Sequence, residues 1–145
     1  MPLTLMRLLV TQAPAATLLI RFMVGAVFLS EGIQKFLFPA ALGVGRFAKI
    51  GLPAPEVLAP MVGSFEVGCG ILILLGLLTR LAVLPTLTII LVALATTKLP
   101  ILLHQGFWAM AHEARTDFSM LMGLLFLLLV GAGPWSLDAR LAERE

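Results

Sequence analysis

Residues 15–37 read AATLLIRFMVGAVFLSEGIQKFL, and this stretch decides the fold. A bilayer core about 30 Å thick is crossed by on the order of 20 predominantly apolar residues in a helix, because any other backbone leaves N–H and C=O groups unsatisfied in hydrocarbon. The stretch has that length, yet it carries Arg21, Glu31 and Lys35. A charge near the centre of a span costs at least about 2.5 kcal/mol, so such residues face protein rather than lipid. At 100° per residue, Lys35 falls about 40° and Glu31 about 80° from Arg21. Gly25, Phe28 and Gly32 share that arc and Gln34 sits at its edge. One span with a polar face of this kind predicts other spans for it to face.

Three more segments supply them, at 55–78, 81–97 and 117–130, the last being short. Of the 145 residues, 60% are hydrophobic and only 12% charged, against roughly 25% charged in a soluble domain. A soluble fold of this composition would expose apolar patches far beyond what monomers tolerate. The prediction is an all-α protein, a four-transmembrane-helix bundle forming one integral membrane domain over 1–145, with the lipid bilayer as its surroundings. The first fourteen residues hold one arginine and a brief apolar run, which fits a short interfacial segment better than a cleavable signal peptide. The net charge of +2 comes from scattered residues, so no nucleic-acid partner is expected.

Between the spans lie Pro39, Gly43, Gly45, Gly51 and Pro53, then the tight turn Thr79-Arg80, which makes the second and third helices antiparallel neighbours. The third loop, 98–116, holds Pro100, His104, Gly106, Phe107, Trp108, His112, Glu113 and Arg115, a mixture suited to the headgroup region. Gly131-Ala132-Gly133-Pro134 ends the fourth helix, and a short polar tail follows. An even number of spans puts both termini on one side. The basic residues do not say which side: Arg7, Arg80, Arg140 and Arg144 stand against Lys35, Arg46, Lys49, Lys98 and Arg115.

Glu31 and Lys35 are an i,i+4 pair in the favourable order, so an internal salt bridge is one reading of them. Glu66 lies near the middle of the second span, beside Gly63, Cys69 and Gly70. It is either neutral or paired with a cation such as Lys35 or Arg21, and either a hydrogen-bonding strut or a proton-exchanging group. Helix directions bring Lys35, the third loop and Asp117 toward one membrane face, with Glu31 and Glu66 somewhat deeper. Such a pocket would accept a quinone ring, whose carbonyls want donors and whose reduction needs proton carriers. Glu66, Glu31 and Lys35 are then the candidate catalytic residues, and Arg21, Gln34, His104 and Asp117 the candidate ligand contacts. His104 and His112 are eight residues apart, which is not a usual metal spacing, and no metal is expected. Cys69 stands alone, without a Cys-x-x-Cys partner.

The order Arg21-x3-Gly25-x2-Phe28-x3-Gly32-x2-Lys35-Phe36, Glu66-x3-Gly70-x5-Gly76-Leu77-x2-Arg80 and Trp135-Ser136-Leu137-Asp138 resembles the DoxX family across nearly the whole chain. His104-x-Gly106-Phe107 in the third loop adds to the likeness. The resemblance implies a four-helix membrane fold tied to redox physiology, as in a thiosulfate:quinone oxidoreductase subunit, with both termini cytoplasmic in the plasma (inner) membrane. Arg21, Lys35, Glu66, Arg80 and Asp138 are the polar positions that match, with Gly32, Gly70, Arg80 and Asp138 expected to serve the architecture. Two functions compete on this reading. The chain is a quinone-binding membrane component of a redox system, or a non-catalytic accessory subunit docked on other membrane subunits of a respiratory or transport complex. A small-solute or proton transporter ranks third, since no inverted repeat is visible.

Overall fold

The computed structural model describes residues 3–144; the first two residues of the N-terminal segment and Glu145 lie outside the described residues. Every regular element among the described residues is helical. A short helix α1 (Leu3–Leu9) leads into α2 (Thr17–Leu37), and the connection after it folds into α3 (Pro39–Leu42) and α4 (Val44–Lys49). Then come α5 (Pro55–Leu75) and α6 (Thr79–Ala93), a π-helical turn at Leu94–Lys98, α7 (Leu99–Gln105), α8 (Phe107–Glu113), α9 (Arg115–Val130) and α10 (Leu137–Ala142). Three helices are long and apolar enough to cross a membrane: Thr17–Leu37, Pro55–Leu75 and the continuous run Thr79–Gln105.

The expected boundaries move at four places, each for a local reason. α5 stops at Leu75 rather than 78 because Gly76 turns left-handed at φ 65° and ψ 41°, and its N–H bonds the Ile73 carbonyl at 3.1 Å. The third helix begins at Thr79 and does not end at 97. Pro100 falls in the first turn of α7, where a helix needs no N–H from it, and the π turn carries the axis across. Most of the expected third loop is therefore helix, broken at Gly106, whose φ is 90°, and at the turn residue Ala114. The fourth helix starts at Arg115, two residues early. The tail is also more than a polar end: the Ser136 hydroxyl accepts from Ala139 N at 3.1 Å as an N-cap, and Asp138 and Ala139 are buried.

Chain direction follows from the contacts. α2 packs along α5, α5 along α6, α6 along α9, and α9 returns to α2. The closest of these seams is built on glycine. A Cβ on Gly32 would stand 2.8 Å from the Gly63 carbonyl oxygen, and one on Gly70 would stand 2.7 Å from the Leu29 nitrogen, so α2 and α5 touch backbone to backbone in antiparallel order. Gly123 makes room for the Val24 side chain between α9 and α2. Val24, Phe28, Cys69, Ile73, Val83 and Leu124 fill the space inside. Outward-facing Phe22, Phe65, Leu84 and Leu129 are exposed, as lipid-facing side chains are.

Candidate functional site

The polar residues of the spans separate into two groups at opposite ends of α2. Arg21 and Lys35 are fourteen positions apart, about 21 Å along a helix, so they share a face without sharing a site.

At the terminal end, charge is absorbed by backbone. Arg21 is 2% exposed, and its three nitrogens donate to the carbonyls of Ile73 (3.0 Å), Leu74 (2.6 Å), Ala132 (3.2 Å) and Trp135 (2.6 Å). These are carbonyls left over where α5 ends and where the chain leaves α9, groups that a helix terminus cannot satisfy itself. Gly76 makes this possible, since a Cβ there would lie 2.7 Å from the guanidinium carbon. Asp138 completes the arrangement. Its Oδ1 accepts from Leu78 N at 2.7 Å and its Oδ2 from Thr79 N at 3.0 Å. Asp138 thereby caps α6 from afar and holds Leu78 in a left-handed conformation, φ 49°, that a leucine rarely adopts. Arg80 does for the N-terminal segment what Arg21 does for α5. It donates to Val10 O at 2.7 Å, Arg7 O at 3.0 Å, Leu128 O at 3.0 Å and Leu129 O at 3.0 Å. Arg21, which had been a candidate ligand contact, thus sits among carbonyls far from the other candidates.

At the other end the charges meet each other. Lys35 Nζ lies 2.7 Å from Glu66 Oε2, with the two side chains 12% and 5% exposed. At that distance the ammonium and the carboxylate form a charge-assisted contact, and no other partner reaches Oε2 among the described residues. Lys35 therefore pairs across the α2–α5 seam, not with Glu31 along its own helix. The geometry follows from helix rotation: Lys35 stands about 60° from Gly32 and Glu66 about 60° from Gly63, both toward the bundle interior. Glu31 is exposed, counter to the expectation that it projects inward, but it stays close enough for its charge to act on Glu66. Gln34 turns to the far flank and donates to the Ser30 hydroxyl at 2.9 Å.

The third-loop candidates form a separate cluster. Asp117 pairs with Lys98 at 3.4 Å, with side chains 20% and 15% exposed, while His104 on α7 and His112 on α8 are exposed. Lys98 escaped notice as a site residue because its partner is nineteen positions away and no local spacing marks the pair. A groove of about 500 Å³ lined by Ile33, Phe36, Leu37, Ser64, Val67 and Gly68 also opens between α2 and α5. It lies on the lipid side of the glycine seam, opposite the Lys35–Glu66 pair, and holds no charge.

Two comparisons bear on this arrangement. The DoxX family profile matches residues 16–105, which include Arg21, the glycine seam, the Lys35–Glu66 pair and Arg80. The chain is also 53% identical over 144 residues to a protein of Mycobacterium tuberculosis (strain ATCC 25618 / H37Rv) described as an uncharacterized membrane protein, covering 95% of this chain and 88% of that relative. No solved structure matches. With apolar helices of membrane length, a membrane-protein relative and the family profile over most of its length, this chain is a membrane protein that belongs to the DoxX family.

Proposed function

We propose that this protein is a membrane component of a redox system and that the Lys35–Glu66 pair binds the ring carbonyl of a quinone-like carrier. One contrast carries the reading. Among the described residues, Arg21, Arg80 and Asp138 bind backbone groups, whereas Lys35 and Glu66 have only each other. A carboxylate near the middle of α5 is costly even when it pairs with an ammonium from the last turn of α2, and no backbone group calls for it there. The pair has no third partner among the described residues, which fits a site that takes a further donor or proton. Lys35 would donate to a ring carbonyl and Glu66 would hold the proton that its reduction requires; the carrier itself supplies the electron chemistry.

The experiment is quinone retention. Protein purified in mild detergent and supplied with menaquinone is washed, extracted and assayed by mass spectrometry. Wild type should keep a stoichiometric quinone, and Glu66→Gln and Lys35→Met should keep at least tenfold less at equal helical content. A folded wild-type protein that retains none ends this reading.

The accessory-subunit reading is favoured by one observation, the 5% exposure of the Glu66 side chain, which gives a ligand little room unless α2 and α5 part. On that reading Glu66→Gln behaves as wild type in every assay while Glu66→Ala fails to accumulate. The site residues His104, Gln34 and Arg21 drop to supporting roles on either reading.

We also propose four crossings with both termini on the cytoplasmic side of the plasma membrane. α9 is 16 residues long, about 24 Å, and its end meets the N-terminal segment where Gln12 N donates to Val130 O at 3.2 Å. Support for the cytoplasmic side comes from the family resemblance alone.

A further inference from the structure

The groove between the π turn, α7 and α8 belongs to none of the arrangements above. Leu91, Ala95, Leu99, Leu102 and Met110 line an open apolar groove of about 360 Å³, and among the described residues Lys98 is the one charged side chain on its wall. The π turn makes the groove. Five residues at Leu94–Lys98 widen the helix, and the Thr96 and Thr97 hydroxyls turn back onto Val92 O (2.8 Å) and Ala93 O (2.6 Å), so no polar side chain from this turn except Lys98 enters the groove. Beside Met110, Phe107 and Trp108 pack edge to face at 5.1 Å, with Trp108 82% exposed. Tryptophan is enriched at headgroup depth in membrane proteins, and Trp108 marks that level beside the groove.

We propose that this groove is a binding site for one anionic phospholipid, with an acyl chain laid along Leu91 and Ala95 and the phosphate met by Lys98, one turn further along the same face. The charge balance suits that occupant. Asp117 holds Lys98 loosely, at 3.4 Å with both side chains partly exposed, so the ammonium keeps donors to offer. Arg115, two residues before Asp117, is exposed and among the described residues its side chain bonds its own turn, at the His112 carbonyl. Glu113 is exposed as well, and the nearby acids oppose a doubly charged headgroup more than a singly charged phosphodiester. An apolar groove with one cation at the headgroup level recognises an amphiphile of this type and rejects a free phosphate, which would leave the groove unfilled.

Native mass spectrometry of the full chain, released from micelles supplemented with equal phosphatidylglycerol and phosphatidylcholine, tests this. The expected result is a single retained phosphatidylglycerol with at least fivefold preference over phosphatidylcholine. Lys98→Gln should abolish the preference while Lys98→Arg keeps it. Ala95→Phe, which fills the groove without touching charge, should remove both lipids, with circular dichroism confirming an unchanged helix content. Equal retention of the two lipids by wild type, or undiminished phosphatidylglycerol in a folded Ala95→Phe protein, overturns the proposal. Neither outcome depends on whether Lys35 and Glu66 bind a quinone.

Discussion

Gly32 and Gly63 meet so closely that a Cβ on Gly32 would lie 2.8 Å from the Gly63 carbonyl oxygen and from Val67 N. Those are backbone atoms, which cannot move aside as a side chain does. Gly32→Val is expected to push α2 off α5 and to separate Lys35 from Glu66. The loss should be at least about 1–3 kcal/mol, the usual cost of overpacking. Gly68→Ala is the control, because a Cβ there meets nothing within 4 Å. Thermal unfolding in detergent should show a lower midpoint for the first variant and an unchanged or higher one for the second.

Breaking the Lys35–Glu66 pair from one side should harm the fold more than removing it altogether. Lys35→Met leaves Glu66 buried without its cation, which costs about 3–5 kcal/mol, whereas a double change of a buried pair to apolar residues is often neutral. Lys35→Met with Glu66→Leu is therefore expected to unfold near the wild-type midpoint. Lys35→Met with Glu31→Leu should stay as unstable as Lys35→Met alone, since Glu31 is not the partner. If the two double variants unfold alike, the pairing is different from the one described.

Asp138 accepts two N–H groups at the start of α6. Asp138→Ala leaves both without an acceptor and removes the restraint on Leu78, so a loss of about 2 kcal/mol or more is expected. Asp138→Asn, with one carbonyl oxygen in place of two, should fall between. Hydrogen exchange at Leu78 and Thr79 would show the opening locally, ahead of any change at α9.

A reporter active only in the cytoplasm, fused after Glu145, should be active, and one fused into the α7–α8 connection at Gly106 should be silent. Activity of the second with silence of the first would invert the orientation and put the α8 aromatic residues on the inner face.

Much of this architecture could be read from helical periodicity. Projecting 15–37 at 100° per residue placed Gly25, Phe28 and Gly32 on the buried face, and all three are buried. The same projection ignores height. It grouped Arg21 with Lys35, although the two serve opposite ends of α2. It left Lys35 with two possible partners, Glu66 on the next span and Glu31 at i,i+4, a local pair worth only about 0.3–0.5 kcal/mol when exposed. A buried partner from another helix outweighs that, and none can be chosen without the tertiary seam. The third loop was misjudged at Pro100, since a proline in a first turn permits a helix as readily as it ends one, whereas Gly106 does break the helix. Asp138 was legible as structural from its motif, but its capping of a helix start 59 residues earlier was not.

Arg21 also imposes an order of events on synthesis. Its guanidinium binds the carbonyls of Ala132 and Trp135, which are polymerised 111 and 114 residues after it. At ribosomal speeds of about 5–20 residues per second, roughly 5–20 s pass before those acceptors exist. Throughout that interval the first span carries a cation whose final ligands are unborn. A nascent chain that stalls after α6 would leave both Arg21 and Arg80 short of acceptors that the finished molecule supplies from residues 128–135.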